Sequence, residues 1–522
     1  MTQHRSDDHV LLGIDLGTSH LKVRAYNAGG LALAGGSARV PMIKACPGRY
    51  EQDSEVWWSL LREILGNMEK ERPGLLARAE VISVCGHSHG PTPYASERGA
   101  LGPCITWLDQ RGGDEVAWML SSIGEDAFIA EGNMVVDTCY TAAKLLWIKN
   151  HQPEIYRQAD VFLLPKDVLV YRLTDSYSTD FTDASVTDLF SSKTYGWSGM
   201  LVERCGLSLE KLPPVNKPWD VIGEVTANAS RGTGLRAGTP VIAGAADWAC
   251  LYYGAGGVRP NIVVDLAGTV GGIMVTTSDD TDFPGMPSLI LGLRNSIAGS
   301  MEASSVIYEW YTDEFGPCDT EDQGRSRFSL MDAEVEQVAP GSEGLLVLPH
   351  FAGARRPQKE NSKGVIFGLS LSTKRPTIAR AIMEGVSYES RRAVQRIVDA
   401  GIPVEKIRAI GGGAQSSVWR QIKADVIGKP YCELNHDEIG AFGAAILGGY
   451  AIGMFSTLED PIDRFVQTKH ETNPQKEHRD LYNALFEAYC HLSDLVEASN
   501  LYDEVDDAMD SSFCVTSELA KK

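Results

Sequence analysis

Residues 11–26 read LLGIDLGTSHLKVRAY, and the pattern predicts a strand, a tight turn and a second strand. The apolar run over residues 10–14 is short and ends at a turn, as a buried strand does. Asp15 closes it, Gly17, Thr18 and Ser19 make the turn, and Leu21, Val23 and Ala25 alternate along the return strand. Gly17 has no Cβ, so the backbone can bend sharply and approach a bulky anion. Thr18 and Ser19 add hydroxyl donors, and Asp15 adds a hard oxygen ligand suited to Mg²⁺. A carboxylate beside an anion-cradling turn makes sense when a cation sits between it and a phosphate. The alternative reading is an ordinary hairpin with a glycine turn.

The same plan returns at residues 262–275, IVVDLAGTVGGIMV, with Gly268 and Thr269 in the turn. The copies lie about 250 residues apart, near half the chain length, which points to an internal duplication. Two similarly built halves, each with a phosphate-binding turn, resemble the actin/hexokinase-like superfamily of two-lobed ATP-binding proteins. That resemblance implies that the first turn holds phosphate and Mg²⁺ and the second the terminal phosphates of ATP.

Composition narrows the class. The chain has 522 residues, 43% of them apolar and 22% charged, and a formal charge of −21. It is long enough for two to four domains. Its charge argues against nucleic acid and anionic membranes as partners. An anionic nucleotide must then be drawn in by local donors and a cation. The polar, acidic N-terminus lacks an apolar signal-type core, and no run of about 18 apolar residues suggests a membrane span. Ten cysteines without a C-x-x-C pair fit reduced thiols in a cytoplasm. Neither G-x-x-x-x-G-K-[ST] nor G-x-G-x-x-G occurs, so a P-loop enzyme and a Rossmann dehydrogenase lose their main warrant.

Along the chain, Asp53 and Ser54 can cap a helix over residues 55–68. A strand over 81–85 ends in Gly86-His87-Ser88-His89-Gly90, which would place both histidines on one side of an extended segment. A second strand leads through Trp107 to Asp109 and Arg111, where the aromatic face suits a sugar's apolar side and the charged groups suit its hydroxyls. Strand ends are where α/β folds place ligands; the alternative is a surface ion pair. The strand over 241–246 ends in Asp247-Trp248, where Asp247 is either a helix cap or a catalytic carboxylate. The domain boundary is expected here, near Gly254–Gly257. In the second half, helices are expected over 300–311 and 377–400. Gly411-Gly412-Gly413-Ala414-Gln415, between a strand and a capped helix, lets a flat ligand press on the backbone. The small-residue helix over 441–452 is expected under the adenosine. The acidic tail from 497 reads as disordered, as does the leader up to residue 9.

Over residues 10–495 the chain resembles the FGGY carbohydrate kinases, in particular their xylulokinase-like members. The matching pieces are Tyr50-Glu51-Gln52-Asp53 with Trp57-Trp58, Gly86-x-x-His89-Gly90, Trp107-x-Asp109-x-Arg111 and Leu164-Pro165-Lys166-Asp167. Thr141-x-x-Lys144-Leu145-x-Trp147-Ile148, residues 364–384, and residues 411–420 with Ala424-Asp425 and Gly428-x-Pro430 extend the match. Cys139, Thr377, Ala354 and the His87-Ser88 pair depart from the family pattern; the last is expected to touch the sugar pocket.

The resemblance implies an α/β fold of two ribonuclease-H-like domains with a cleft between them. Residues 10–252 would bind the sugar, 253–496 ATP, and 497–522 would form the tail. It implies Asp247 as general base, with Asp15 and Asp247 at Mg²⁺. It implies His89, Gly90, Trp107, Asp109, Arg111 and Trp248 around the sugar. Gly17, Thr18, Ser19, Lys22, Gly268, Thr269, Gly412, Gly413, Ala414 and Gln415 would surround ATP. The implied reaction is ATP-dependent phosphorylation of a pentulose such as D-xylulose in the cytoplasm, with L-ribulose, erythritol and gluconate as alternatives and a homodimer left open. The rival from another class is an ATP-driven actin-like or chaperone-like binding protein, which has no use for a sugar pocket. A phosphatase acting on polyphosphate would need a more basic surface.

Overall fold

The computed structural model describes residues 9–506 and 508, apart from 47, 133, 269, 277–287, 291–294, 317–325, 352, 354–360 and 437. The expectations for Thr269, Ala354, the leader up to residue 8 and the tail beyond 508 lie outside the described residues. The described chain forms two compact units. The first comprises described residues of Met1–Pro260, Thr276–Ile297 and His436–Gln467, and the second those of Asn261–Val275, Ala298–Asn435 and Thr468–Lys522. The division therefore differs from a single boundary after residue 252, because two later segments return to the first unit.

In the first unit, β1 (Val10–Leu16), β2 (His20–Asn27), β3 (Ala32–Arg39), β4 (Ala79–Gly86), β5 (Val221–Glu224) and β6 (Pro240–Ile242) lie in the order β5-β6-β4-β1-β2-β3. The two-residue β7 (Ala245–Ala246) also pairs with β4. β1 is antiparallel to β2 and parallel to β4. It runs past Ile14 to Leu16 because Asp15 is still paired with Lys22 on one side and Cys85 on the other. Ile14, Leu16, Leu21 and Val23 are fully buried, each such side chain stabilising by about 1.5–3 kcal/mol. The second unit repeats the plan. β8 (Val263–Leu266) is antiparallel to β9 (Val270–Thr276) and parallel to β10 (Ile407–Ile410), and β11 (Tyr431–Leu434) and β12 (Thr468–Thr472) follow outward. The hairpin-plus-parallel-strand core thus occurs in both units, as a duplication requires.

Helices cover these sheets. α1 (Ser54–Glu71) is capped by Asp53, which accepts from the Glu55 N–H at 2.9 Å. α2 (Thr141–His151), α3 (Pro165–Thr174) and α4 (Asp247–Gly254) complete the part of the first unit that matters below. α5 (Ser305–Phe315), α6 (Arg375–Asp399), α7 (Gly412–Gln415) and α8 (Ser417–Ile427) belong to the second unit. α9 (Ile439–Ala451) belongs to the first unit, and α10 (Arg479–Ala498) to the second. No helix among the described residues is long and apolar enough to cross a membrane.

Four expectations are corrected here. The helix expected from residue 300 starts at Ser305, because Asn295–Ala303 is a strand and Ser304 turns the chain at φ −126°, ψ −101°. Of the three glycines, only Gly411 has a positive φ (98°), and Gly412 and Gly413 open the short helix α7. The small-residue helix α9, expected under the adenosine, belongs to the first unit and not to the half expected to bind ATP. It packs on β1 and α4, so closely that a Cβ at Gly13 would come 2.0 Å from the Ala441 carbonyl oxygen. Finally, 501–506 is helical rather than disordered. Acidic and polar groups of 497–506 find partners on one short segment: Asn361 donates to Asp503 at 2.8 Å, Ser362 to Glu497 at 2.8 Å, and Tyr502 to the Lys363 carbonyl at 2.9 Å.

Candidate active site

Two carboxylates emerge at the same end of the first unit's sheet. Asp15 stands near the end of β1, and Asp247 follows β7 and opens α4. β4 lies between them, with Cys85 paired to both Asp15 and Ala245. Burial pushes the Asp247 carboxyl up to about 7, and the charge of Asp15 adds to that push, while the Trp248 N–H, 2.6 Å from Oδ1, pulls the other way. Burial likewise raises Asp15 to about 6, opposed by Lys22. The Lys22 ammonium itself is held by Glu438 Oε2 at 2.8 Å. Two desolvated carboxylates that repel each other form a donor set suited to a hard divalent cation. Helix α9 closes over this place: a Cβ at Gly440 would lie 2.5 Å from Asp15 Oδ2.

The turn after β1 is tied to Trp107 and Gln52. The Gly17 N–H donates to the His20 carbonyl at 3.0 Å. Trp107 Nε1 donates to Thr18 Oγ1 at 2.9 Å, and Gln52 Nε2 to the Thr18 carbonyl at 2.7 Å. Ser19 is exposed. Gln52 Oε1 in turn receives Trp57 Nε1 at 3.2 Å and His87 Nε2 at 3.1 Å. His87 is buried, and burial lowers its ring to about 4. The two histidines do not share a side, because His89 sits at φ 72° and breaks the extension. His87 enters the core beside Trp57. His89 Nδ1 donates to the Val186 carbonyl at 2.8 Å, and its ring meets Tyr140 edge-on at 5.1 Å. That bond makes Nε2 the acceptor atom of a neutral ring. Gly90 is required by packing, since a Cβ there would come 2.5 Å from Cys104 Sγ.

Asp109 and Arg111 take a different task from the one expected. Asp109 Oδ1 receives the Arg111 N–H at 3.0 Å and Nε at 2.7 Å; Oδ2 receives the Tyr50 N–H and Arg111 Nη2, both at 2.7 Å. These bonds fill the carboxylate's acceptor positions. Arg111 also reaches Glu51 at 2.6 Å and lies 4.7 Å over the Trp147 ring. The pair braces the loop. Trp248 is buried behind Asp247.

The second unit carries a cavity of about 470 Å³, lined among others by Ser305, Tyr308, Asp332, Gly412, Gly413, Gln415 and Trp419. The Gly413 N–H donates to the Ala267 carbonyl at 2.9 Å, and a Cβ at Gly411 would meet that same oxygen at 2.6 Å. The glycine segment therefore presses directly on the turn that contains Gly268. Ala414 is buried behind it, its carbonyl receiving Arg420 at 2.7 Å. Asp265, the counterpart of Asp15 in the repeat, is buried and ion-paired with Lys423, and receives Tyr431 OH at 2.6 Å. The second copy has thus neutralised its carboxylate internally.

Sequence reasoning missed Glu438 and Gly440, which come from 180 or more residues beyond Asp247, and the cavity side chains Tyr308, Asp332 and Trp419. A run of Gly and Ala in α9 was the one available signal of close backbone approach. It also missed a buried cluster in which Lys166 Nζ lies 2.5 Å from Asp167, 3.0 Å from Asp180 and 3.5 Å from Asp183.

The N-terminal domain of the FGGY family of carbohydrate kinases matches residues 10–252 and its C-terminal domain residues 266–452. The chain is similar to a xylulose kinase of Bacillus subtilis strain 168, 30% identical over 484 residues that span 92% of this chain and 95% of that one. A xylulose kinase of Escherichia coli K12 is 29% identical over 84% of this chain and 90% of its own. The crystal structure of a xylulose kinase from Rhodospirillum rubrum superposes with a TM-score of 0.84 at 26% identity, covering 94% of this chain and 99% of that one. The chain belongs to the FGGY family of carbohydrate kinases and is an ATP-dependent sugar kinase.

Proposed function

We propose that this kinase transfers the γ-phosphoryl group of ATP, with Mg²⁺, to a terminal hydroxyl of D-xylulose, and that Asp247 is the general base. The observation that carries the mechanism is the placing of Asp15 and Asp247 at the same end of the sheet, on the two strands that flank β4, with Asp247 poised near 7. A base with that value is about half ionised at neutral pH and basic enough to take a proton from a hydroxyl in the transition state. The Trp248 N–H fixes Oδ1 and leaves Oδ2 to receive that proton. Asp15 and Asp247 would hold the magnesium ion, which neutralises charge on the phosphates. Thr18, oriented by Trp107, and the Gly268 turn offer donors to phosphate oxygens. The cavity beside Gly412 and Gln415 suits the adenosine. His89 Nε2 would accept a bond from a sugar hydroxyl. We place the enzyme in the cytoplasm, which suits ten cysteines without a C-x-x-C pair.

The choice of sugar is tested by sugar-dependent ADP release, ranking kcat/KM over D-xylulose, L-xylulose, D- and L-ribulose, erythritol, glycerol and gluconate. D-xylulose should lead by about tenfold or more. A lead of that size for another compound reassigns the substrate, and ADP release that no sugar stimulates would favour the chaperone-like reading. His89→Ala should raise KM for the sugar about tenfold or more while KM for ATP stays within about twofold. Equal changes in both would remove His89 from the sugar site. Asp15→Ala should shift the Mg²⁺ concentration for half-maximal activity upward by about tenfold; an unchanged magnesium titration would rule out Asp15 as a ligand.

A further inference from the structure

The strand that delivers Asp247 is only two residues long, and Ala246 caps α4 with no side-chain bond of its own. Its N–H instead donates to Thr182 Oγ1 at 2.8 Å, with both residues fully buried. Thr182 Oγ1 donates to Asp180 Oδ2 at 2.6 Å. A hydroxyl has one proton, so with that proton given to a carboxylate, a lone pair is what faces Ala246. Asp180 Oδ1 lies 3.0 Å from Lys166 Nζ, which Asp167 and Asp183 also surround. The direction of the chain from Ala246 through Thr182 to Asp180 is thereby fixed.

The plain alternative is that Asp180 merely caps the short helix Phe181–Ala184. That cap uses the backbone N–H of Thr182, which meets Oδ2 at 2.8 Å, and makes no use of the hydroxyl. The hydroxyl serves the backbone next to Asp247.

We propose that Thr182 is a positioning residue of the phosphoryl transfer: its hydroxyl, oriented by Asp180 and Lys166, sets the place of Asp247 by holding the Ala246 N–H. The proposal rests on Asp247 being the base. A displacement of about 1 Å can cost about 10² in rate, so a lost anchor one residue away should appear in kcat rather than in nucleotide binding.

The test compares Thr182→Val, which keeps the shape and removes the hydroxyl, with Thr182→Ser, which keeps the hydroxyl. Asp247→Asn is assayed in parallel, all with the sugar ranked first in the panel above. Thr182→Val should lose about tenfold or more in kcat with KM for ATP within about twofold, and Thr182→Ser should retain at least about a third of wild-type kcat. A Thr182→Val enzyme with wild-type kcat overturns the proposal, as does a Thr182→Ser enzyme as slow as Thr182→Val. If Thr182→Val does not fold, Thr182→Ser and hydrogen exchange at the wild-type Ala246 amide decide. A folded Thr182→Ser enzyme that loses tenfold, or an Ala246 amide exchanging as fast as an exposed loop, sinks the idea. An inactive Asp247→Asn with a normal Thr182→Val defeats this inference alone, whereas an active Asp247→Asn defeats the assignment of the base.

Discussion

Asp247→Asn is expected to lower turnover by about 10²–10⁴ and at the same time to raise thermal stability at pH 8. The first effect follows because an amide cannot accept the hydroxyl proton, while the Trp248 N–H can still meet the amide oxygen and keep the fold. The second follows from linkage. In the folded protein the carboxyl stands at about 7, against an ordinary 3.8. Between those values the folded state binds a proton that the unfolded state has released. Stability therefore falls as pH rises from about 4 through 7 and levels off above. The full difference corresponds to about 4 kcal/mol, and because Asp247 is half-buried, solvent screening reduces it to about 1–2 kcal/mol. The mutant should be more stable than wild type at pH 8 and equal to it near pH 4. Melting curves at both pH values, without magnesium, check the sign. A mutant less stable at pH 8 would mean that Asp247 is paired and not poised, and near-normal turnover in the purified mutant would exclude it as the base.

The parts of this molecule written in local sequence were the legible ones. A five-residue apolar run, a Gly-Thr turn and an alternating return strand are determined by neighbours in the chain. Both hairpins and the duplication behind them could therefore be read directly, as could the Asp53 cap and the place of Asp247 after a strand. What failed depended on partners distant in sequence. Asp109 and Arg111 look like ligands for a sugar until Tyr50, Glu51 and Trp147 surround them. His87 and His89 have the spacing of a pair, but one φ of 72° separates their destinations. Asp15 and Asp265 occupy equivalent places in the repeat, yet Lys423 and Tyr431 consume only the second. The helix α9 reads as small and close-packing, which is right, but against which surface is a matter of topology that its own residues do not encode.

That helix gives the second large effect. Gly443→Ala should destabilise the protein by about 3 kcal/mol, lowering the melting temperature by about 5–10 °C. The added Cβ would lie 1.9 Å from the Cys250 carbonyl oxygen and 3.0 Å from the Gly254 amide nitrogen. Both are backbone atoms of α4, so no side chain can rotate out of the way and the helices must separate. The separation has a chemical consequence: Asp247 opens α4, and Gly440, one turn earlier on α9, covers Asp15. The surviving folded fraction should accordingly show reduced kcat. Gly66→Ala is the control, because Gly66 is inside α1 with nothing within 4 Å of the new Cβ. There the substitution should stabilise by up to about 1 kcal/mol through helix propensity alone. Differential scanning calorimetry of both variants, with kcat measured on the soluble protein, separates the cases. A Gly443→Ala protein that melts and turns over like wild type would mean that α9 does not lie against α4 as closely as the backbone distances require, and the covering of Asp15 by Gly440 would fall with it.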